Sequence, residues 1–252
     1  MRISLTETKL RTYKPRDSWW TVVLVDPLAV RIVWLLAPFR WATPNFVTGV
    51  SFLFGIAAAL AFLDGSRPGL VLGALLFYFA FVLDCVDGKI ARLKGNGSEV
   101  GKWAEFVLDR IRFLLGAGAL FYGQYQATQN LLYVWIGVLV MVLDLLHYLN
   151  GAEMRLSAAP PANADAPMSG TIGQAARKNS ALHAIASFLE ARRIRPRLFS
   201  GVEFEHFLCV IAPLTGFVIQ VTVATVGLHL LFEAAVVAVF LRHARRTAIV
   251  PT

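Results

Sequence analysis

Residues 83–110 read LDCVDGKIARLKGNGSEVGKWAEFVLDR. They set four acids, Asp84, Asp87, Glu105 and Asp109, at the edges of apolar runs, and the spacing of those acids decides the fold. Asp84, Asp87, Gly88 and Ala91 fall at i, i+3, i+4 and i+7, one stripe of an α-helix, so both acids and both small residues share a face. After a short turn rich in Gly and Asn, Gly101, Glu105 and Asp109 recur at i, i+4 and i+8, again on a single face. The connection is short, so the two helices are predicted to be antiparallel neighbours whose motif positions meet.

The surrounding chain is oily. Of 252 residues, 57% are hydrophobic and only 16% charged, and the mean hydropathy is positive, which excludes an ordinary soluble domain. Apolar runs cover 44–63, 69–83, 106–122, 130–149, 207–220 and 221–241, several of them near the roughly 20 residues that span hydrocarbon. The expected fold is therefore an all-α integral membrane protein with six transmembrane helices. Residues 17–40 mix Trp19, Trp20 and Trp34 with Asp26, Pro27, Arg31 and Arg40, and are too interrupted to cross; they predict an N-terminal interfacial amphipathic helix. The expected organisation is thus 1–40 as a cytoplasmic N-terminus with that helix, then 41–252 as the six-helix transmembrane domain, with a cytoplasmic connection over 151–203. Thr43 is a suitable N-cap and Pro44 a suitable first-turn residue for the first span, and 64–68 make the first external turn.

Charge gives the orientation. With the N-terminus inside, 21 of the 24 basic residues fall in cytoplasmic segments, and Arg67 is the sole one in an external turn. Both termini and the acid cluster are then expected on the cytoplasmic side of a multi-pass protein. The net charge of +8 follows from this topology, with anionic lipid headgroups as its natural partners and no nucleic acid needed to explain it. No cleavable signal peptide is expected, and Cys85 and Cys209 are isolated, near the reducing side, so no disulfide is expected.

Four carboxylates at a bilayer boundary are expensive, about 2.5 kcal/mol or more each at a helix centre, and cannot all stay ionised without a counter-charge. An all-oxygen set without inward His or Cys favours a hard cation, Mg²⁺ or Mn²⁺, and four acids suffice for two ions. Glycines in the same stripe let a ligand lie against backbone. Such a groove suits a phosphate or pyrophosphate substrate.

The run from Asp84 through Asp87, Gly88, Ala91, Arg92, Gly101 and Glu105 to Asp109 resembles the signature of the CDP-alcohol phosphotransferase family, Asp-x2-Asp-Gly-x2-Ala-Arg-x8-Gly-x3-Asp-x3-Asp. Seven of eight positions match across 26 residues, and Glu105 departs from the family's usual third Asp. The six spans, the N-terminal helix, and Pro44, Asn45 and Thr48 at the start of the first span also look like the family. The resemblance implies that Asp84, Asp87, Glu105 and Asp109 hold two Mg²⁺ or Mn²⁺ ions, with Asp109 also the general base. Gly88, Ala91 and Gly101 would line the cytidine pocket, and Arg92, Asn45 and Thr48 would add polar contacts to CDP. It further implies a homodimer that attacks a CDP-alcohol with an alcohol hydroxyl and releases CMP. CDP-diacylglycerol is the expected donor, to a polar or phosphorylated alcohol. The reverse arrangement, a CDP-activated soluble alcohol donating to diacylglycerol, stays open. So do a divalent-cation or proton transporter and a catalytically dead relative.

Outside the signature, Asp144 and His147, three apart, suggest a packed or capped pair ahead of a proton relay. Glu203, Glu205 and His206 begin the fifth run with surface, dimer or substrate roles equally open. Arg155, Arg192, Arg193, Arg195 and Arg197 suit lipid headgroups or an anionic acceptor, Arg155 and Arg195 being the candidates for the acceptor.

Overall fold

The computed structural model describes residues 4–157, 187–195 and 198–247. Among them every regular element is helical, and the one extended pairing is a parallel bridge between Asp17 and Ile194. α1 (Leu5–Thr12) starts on Ser4, whose hydroxyl accepts the Glu7 backbone N–H at 3.1 Å. The sequence reading had given this segment no element, although Ser4 followed by Glu7 is a capping signature. A π-helical turn, Thr21–Val25, leads into α2 (Asp26–Leu36). α2 buries Ala29, Val30 and Val33 and exposes Leu28, Trp34 and Leu35. Asp26 turns out not to interrupt it: the carboxylate is buried between Lys89 (2.6 Å) and Arg193 (2.9 Å), which ties α2 to the helix carrying the first two acids.

α3 (Pro44–Leu63) begins as expected, the Thr43 hydroxyl accepting the Phe46 N–H at 3.3 Å. Its end and the start of α4 (Arg67–Lys94) enclose the turn at 64–66, where Gly65 takes φ +66° and Ser66 caps Gly69. α4 stops at Gly95, in the left-handed region at φ +65°, and α5 (Glu99–Thr128) starts on Ser98, which accepts the Gly101 N–H at 3.0 Å. α6 is Leu132–Ser157. Beyond the described gap, α7 (Gly201–His206), a π-helical turn (Phe207–Ile211) and α8 (Ala212–Thr215) form one interrupted path. It breaks at Gly216 (φ +81°) before α9 (Val218–Thr247).

Among the described residues, four helices, α3, α4, α6 and α9, are long and apolar enough to cross a membrane. Together with the family described below, they make the chain an integral membrane protein. The other two predicted runs differ for identifiable reasons. α5 is long but carries Glu105, Asp109, Arg110 and Arg112. The fifth run is broken by the π-helical turn and Gly216, several residues before the boundary expected at 220.

The expected pairing of α4 with α5 is also modified. α3 packs extensively against both, whereas α4 and α5 meet directly at few residues. Between them lies a buried arginine, Arg112, and α3 makes room for it at Gly55: a Cβ there would come within 2.5 Å of the Arg112 Cγ. Phe62, Phe77, Phe113 and Phe121 fill the rest of this three-helix core.

Candidate active site

The two acid stripes converge. Ligand oxygens of Asp84, Asp87 and Glu105 lie within 4.8 Å of one another, and Arg112 joins Asp84 to Asp109. Asp84 and Asp87 are buried, while Glu105 and Asp109 are half-buried. α3 contributes Thr48, whose hydroxyl donates to Asp87 Oδ2 at 2.5 Å and also bonds the Pro44 carbonyl at 3.0 Å. The other oxygen, Asp87 Oδ1, is buried with no hydrogen-bond partner. An unpartnered carboxylate oxygen among three further acids is costly without a cation, so the donor set fits a hard divalent ion.

Arg112 supplies the built-in counter-charge that sequence reasoning missed. It is only 3% exposed, with Nη2 3.0 Å from Asp109 and Nη1 3.6 Å from Asp84. Nη1 also donates to Ser51 Oγ at 3.1 Å, and that hydroxyl donates to the Ala80 carbonyl at 2.8 Å. The signal was present in the sequence: an arginine inside an apolar span marks a functional site by default, and Asp109 lies one helical turn away. One guanidinium cannot balance four carboxylates, so the nest keeps a cation demand.

The predicted nucleotide-side residues surround the nest. A Cβ on Gly88 would meet nothing but the Arg92 guanidinium, at 3.5 Å, so α4 backbone is open there as the glycine stripe predicts. Gly101 faces Asn45, with Asn45 Oδ1 3.4 Å from where a Cβ would be. Ala91 is half-buried beside Gly97. Arg92 is exposed and its Nε donates to the Thr12 carbonyl at 2.8 Å, so α1 closes over this end of α4. Lys94 reaches the Phe39 and Ala42 carbonyls, both at 2.8 Å, and fastens the approach to α3.

Of the acceptor candidates, the side chain of Arg155 lies outside the described residues, as does Arg197. Arg195 is placed on the N-terminal segment, 3.7 Å from Asp17, with its backbone N–H donating to the Asp17 carbonyl at 2.9 Å. Arg193 is a structural brace, bonding Asp26 and the Lys14 carbonyl and lying over the Tyr13 ring.

A second polar layer adjoins the nest. Arg110, next to Asp109 but turned toward α6, makes a forked contact with Asp144 (2.9 and 3.0 Å) and reaches Glu205 at 2.6 Å. Its guanidinium lies 3.8 Å from the centre of the Tyr148 ring. Asp144 therefore pairs with Arg110 and not with His147. Glu203, Glu205 and His206 are all buried, which removes a surface role for them. Glu203 caps Ser200, and His206 Nδ1 bonds the Val202 carbonyl. Both cysteines are free thiols.

A helical membrane bundle that gathers four signature acids against glycine-lined backbone defines a class of transferase, and comparison with known families agrees. The CDP-alcohol phosphatidyltransferase family matches residues 41–189, and the chain belongs to it. Two curated relatives share shorter stretches. One, from Thermococcus kodakarensis and described as a bifunctional IPC transferase and DIPP synthase, is 38% identical over 68 residues, 27% of this chain and 15% of its own. A protein of the same description from Archaeoglobus fulgidus is 40% identical over 67 residues, 27% of this chain and 13% of its own. The chain thus spans under a sixth of the length of these relatives.

Proposed function

We propose that the protein transfers a phosphatidyl group from a CDP-alcohol, CDP-diacylglycerol in our reading, to the hydroxyl of a polar or phosphorylated alcohol, releasing CMP. The observation that carries the reading is the nest itself: four signature carboxylates, one buried arginine and an unpartnered Asp87 oxygen. Asp84, Asp87, Glu105 and Asp109 would hold two Mg²⁺ or Mn²⁺ ions, which would supply charge neutralisation on the pyrophosphate and on the departing phosphate.

The chain's own residues do the rest. Asp109 is placed to take the proton of the acceptor hydroxyl as its oxygen forms a bond to the lipid-side phosphorus; the bond from that phosphorus to the CMP oxygen breaks, and CMP departs with the electron pair. Arg112, fixed by Ser51, Asp84 and Asp109, orients the base. Gly88, Ala91 and Gly101 would admit the cytidine against bare backbone, with Asn45, Thr48 and Arg92 as its polar rim. Arg155 and Arg195 would hold the acceptor's anionic group. We place the nest and both termini on the cytoplasmic side. Residues 1–40 then lie as an interfacial cover, 41–252 form the catalytic bundle, and two copies make a homodimer in contact with anionic lipids. Transport gains no support, because Asp144, the acid expected deeper in the membrane, is paired with Arg110.

The test is release of CMP from labelled CDP-diacylglycerol by purified protein, screened across alcohols with Mg²⁺ and with Mn²⁺, with mass measurement of the lipid product. Metal-dependent CMP release requiring one alcohol is expected. No CMP with any alcohol and either ion would overturn the reading, and release from a CDP-activated soluble alcohol onto diacylglycerol would reverse the roles of the substrates.

A further inference from the structure

We infer that the bundle holds a second metal site, of different chemistry, where α6 meets α9. A ring nitrogen of His147, a ring nitrogen of His229 and a carboxylate oxygen of Glu233 lie within 4.8 Å of one another. The two rings are 5.2 Å apart, and His229 and Glu233 are one helical turn apart on α9.

The independent observation is His229. The residue is 2% exposed, and its Nε2 is buried with no hydrogen-bond partner. A bond between His147 Nδ1 and Glu233 Oε1 (2.6 Å) satisfies those two groups alone and leaves the third polar group of the cluster unsatisfied, at a recognised cost. A cation accepting a lone pair from each imidazole and from the carboxylate satisfies all three.

The surroundings fit. Asn150 Nδ2 approaches Glu233 Oε2 at 3.4 Å, the kind of outer hydrogen bond that orients a ligating carboxylate. Phe204 packs on the His229 ring at 4.3 Å, and Gly201, where a Cβ would lie 3.3 Å from His147 Nε2, gives α7 a close approach to the site. His147 and Glu233 keep side-chain exposures of 17% and 22%, so the cluster is reachable from outside. Two imidazoles and one carboxylate are the donor set of a borderline ion such as Zn²⁺, with a fourth position left for water. The all-oxygen nest takes hard ions instead, so the two sites separate by ligand chemistry. Apart from this cluster α6 and α9 share little contact, so the ion acts as a staple between them.

The experiment uses full-length protein in detergent, stripped with chelator and held in excess Mg²⁺ to occupy the nest. Co²⁺ is added as a spectroscopic probe, then displaced with Zn²⁺. One equivalent of Co²⁺ with the intense visible bands of four-coordinate geometry is expected, abolished by Zn²⁺. His229→Phe and the near-isosteric Glu233→Gln should each lower Zn²⁺ affinity by more than the roughly 10–100-fold that outer-shell changes cause, and Asn150→Ala by about 10-fold. Asp84→Asn should leave the signal intact. A six-coordinate spectrum only, a signal unchanged in both His229→Phe and Glu233→Gln, or a signal lost in Asp84→Asn would each overturn the inference. Should His229→Phe fail to fold, Glu233→Gln and zinc content of the wild type decide alone.

Discussion

Replacing Arg112 by Met is the sharpest perturbation of the nest. The guanidinium is 3% exposed and serves three partners, Asp109 at 3.0 Å, Asp84 at 3.6 Å and Ser51 at 3.1 Å. Taking one partner from a buried ion pair costs about 3–5 kcal/mol, because the charges left behind stay desolvated. At about 2–4 °C per kcal/mol for a chain of this size, the metal-free midpoint should fall by about 6–20 °C.

A cation that binds only the folded nest acts in the opposite direction, contributing about 4 kcal/mol at a thousandfold excess over its dissociation constant. The variant has lost its internal counter-charge, so it should draw more stabilisation from the ion than wild type does. The assay is a thermal melt in detergent, with and without Mg²⁺ or Mn²⁺, on wild type, Arg112→Met and Arg112→Lys. The metal-induced rise should be several degrees larger in Arg112→Met than in wild type, with Arg112→Lys between. Equal or smaller rises in Arg112→Met would refute the idea that Arg112 and the ions share one electrostatic task.

Four further outcomes are expected. Asp109→Asn should keep a metal-dependent melting shift and lose CMP release by about 10²–10⁴-fold, the usual worth of a positioned base; wild-type turnover would remove Asp109 from that role. Gly55→Ala should push Arg112 out of place, costing about 1–3 kcal/mol in a thermal melt, and much less in an Arg112→Ala background, where the clashing Cγ and Cδ are gone. Gly88→Ala meets only Arg92 at 3.5 Å, so the melt should be unchanged while KM for the CDP-lipid rises, about 10-fold for the loss of one close backbone approach. Glu105→Asp shortens the ligand by one methylene and should change the ratio of Mg²⁺- to Mn²⁺-supported CMP release; an unchanged ratio would mean Glu105 is not at the ions.

The acids were legible in the sequence because a helix period turns spacing directly into a shared face. Asp84 with Asp87 and Glu105 with Asp109 met as the 3.6-residue repeat requires. Helix ends were legible for the same local reason: Thr43, Ser66, Ser98 and Gly95 act on their own turn. What escaped was set by distant partners. Arg112 reads as one more basic residue until α3 supplies Gly55 and Ser51. Asp26 reads as an interruption until Lys89 reaches it across α4. Glu205 and His206 look like a polar helix start until Arg110 and Tyr148 meet the one and Trp20, Phe77 and Phe81 enclose the other. α5 falls short of its apolar neighbours for a related reason, since it carries Arg110 and Arg112, and both are paired inside the bundle.

That pairing explains how a helix carrying two arginines packs among long apolar neighbours. Along α5 the charges alternate in the direction they face: Asp109 and Arg112, one turn apart, turn to α3 and α4, while Arg110 turns to α6 and α7. Each arginine meets two carboxylates, yet the two clusters are not equivalent. Arg110 has Asp144 and Glu205 at 2.6–2.9 Å and a tyrosine face, a closed set in direct contact although its Nε stays unpartnered. Arg112 faces Asp84 and Asp109 with Asp87 and Glu105 close behind, and so leaves negative charge unmet. The closed cluster fixes the rotation of α5, and that rotation aims Asp109 into the open one. On the proposed function, a substrate whose phosphates arrive with divalent ions would complete the open cluster, while the closed cluster would hold the helix still.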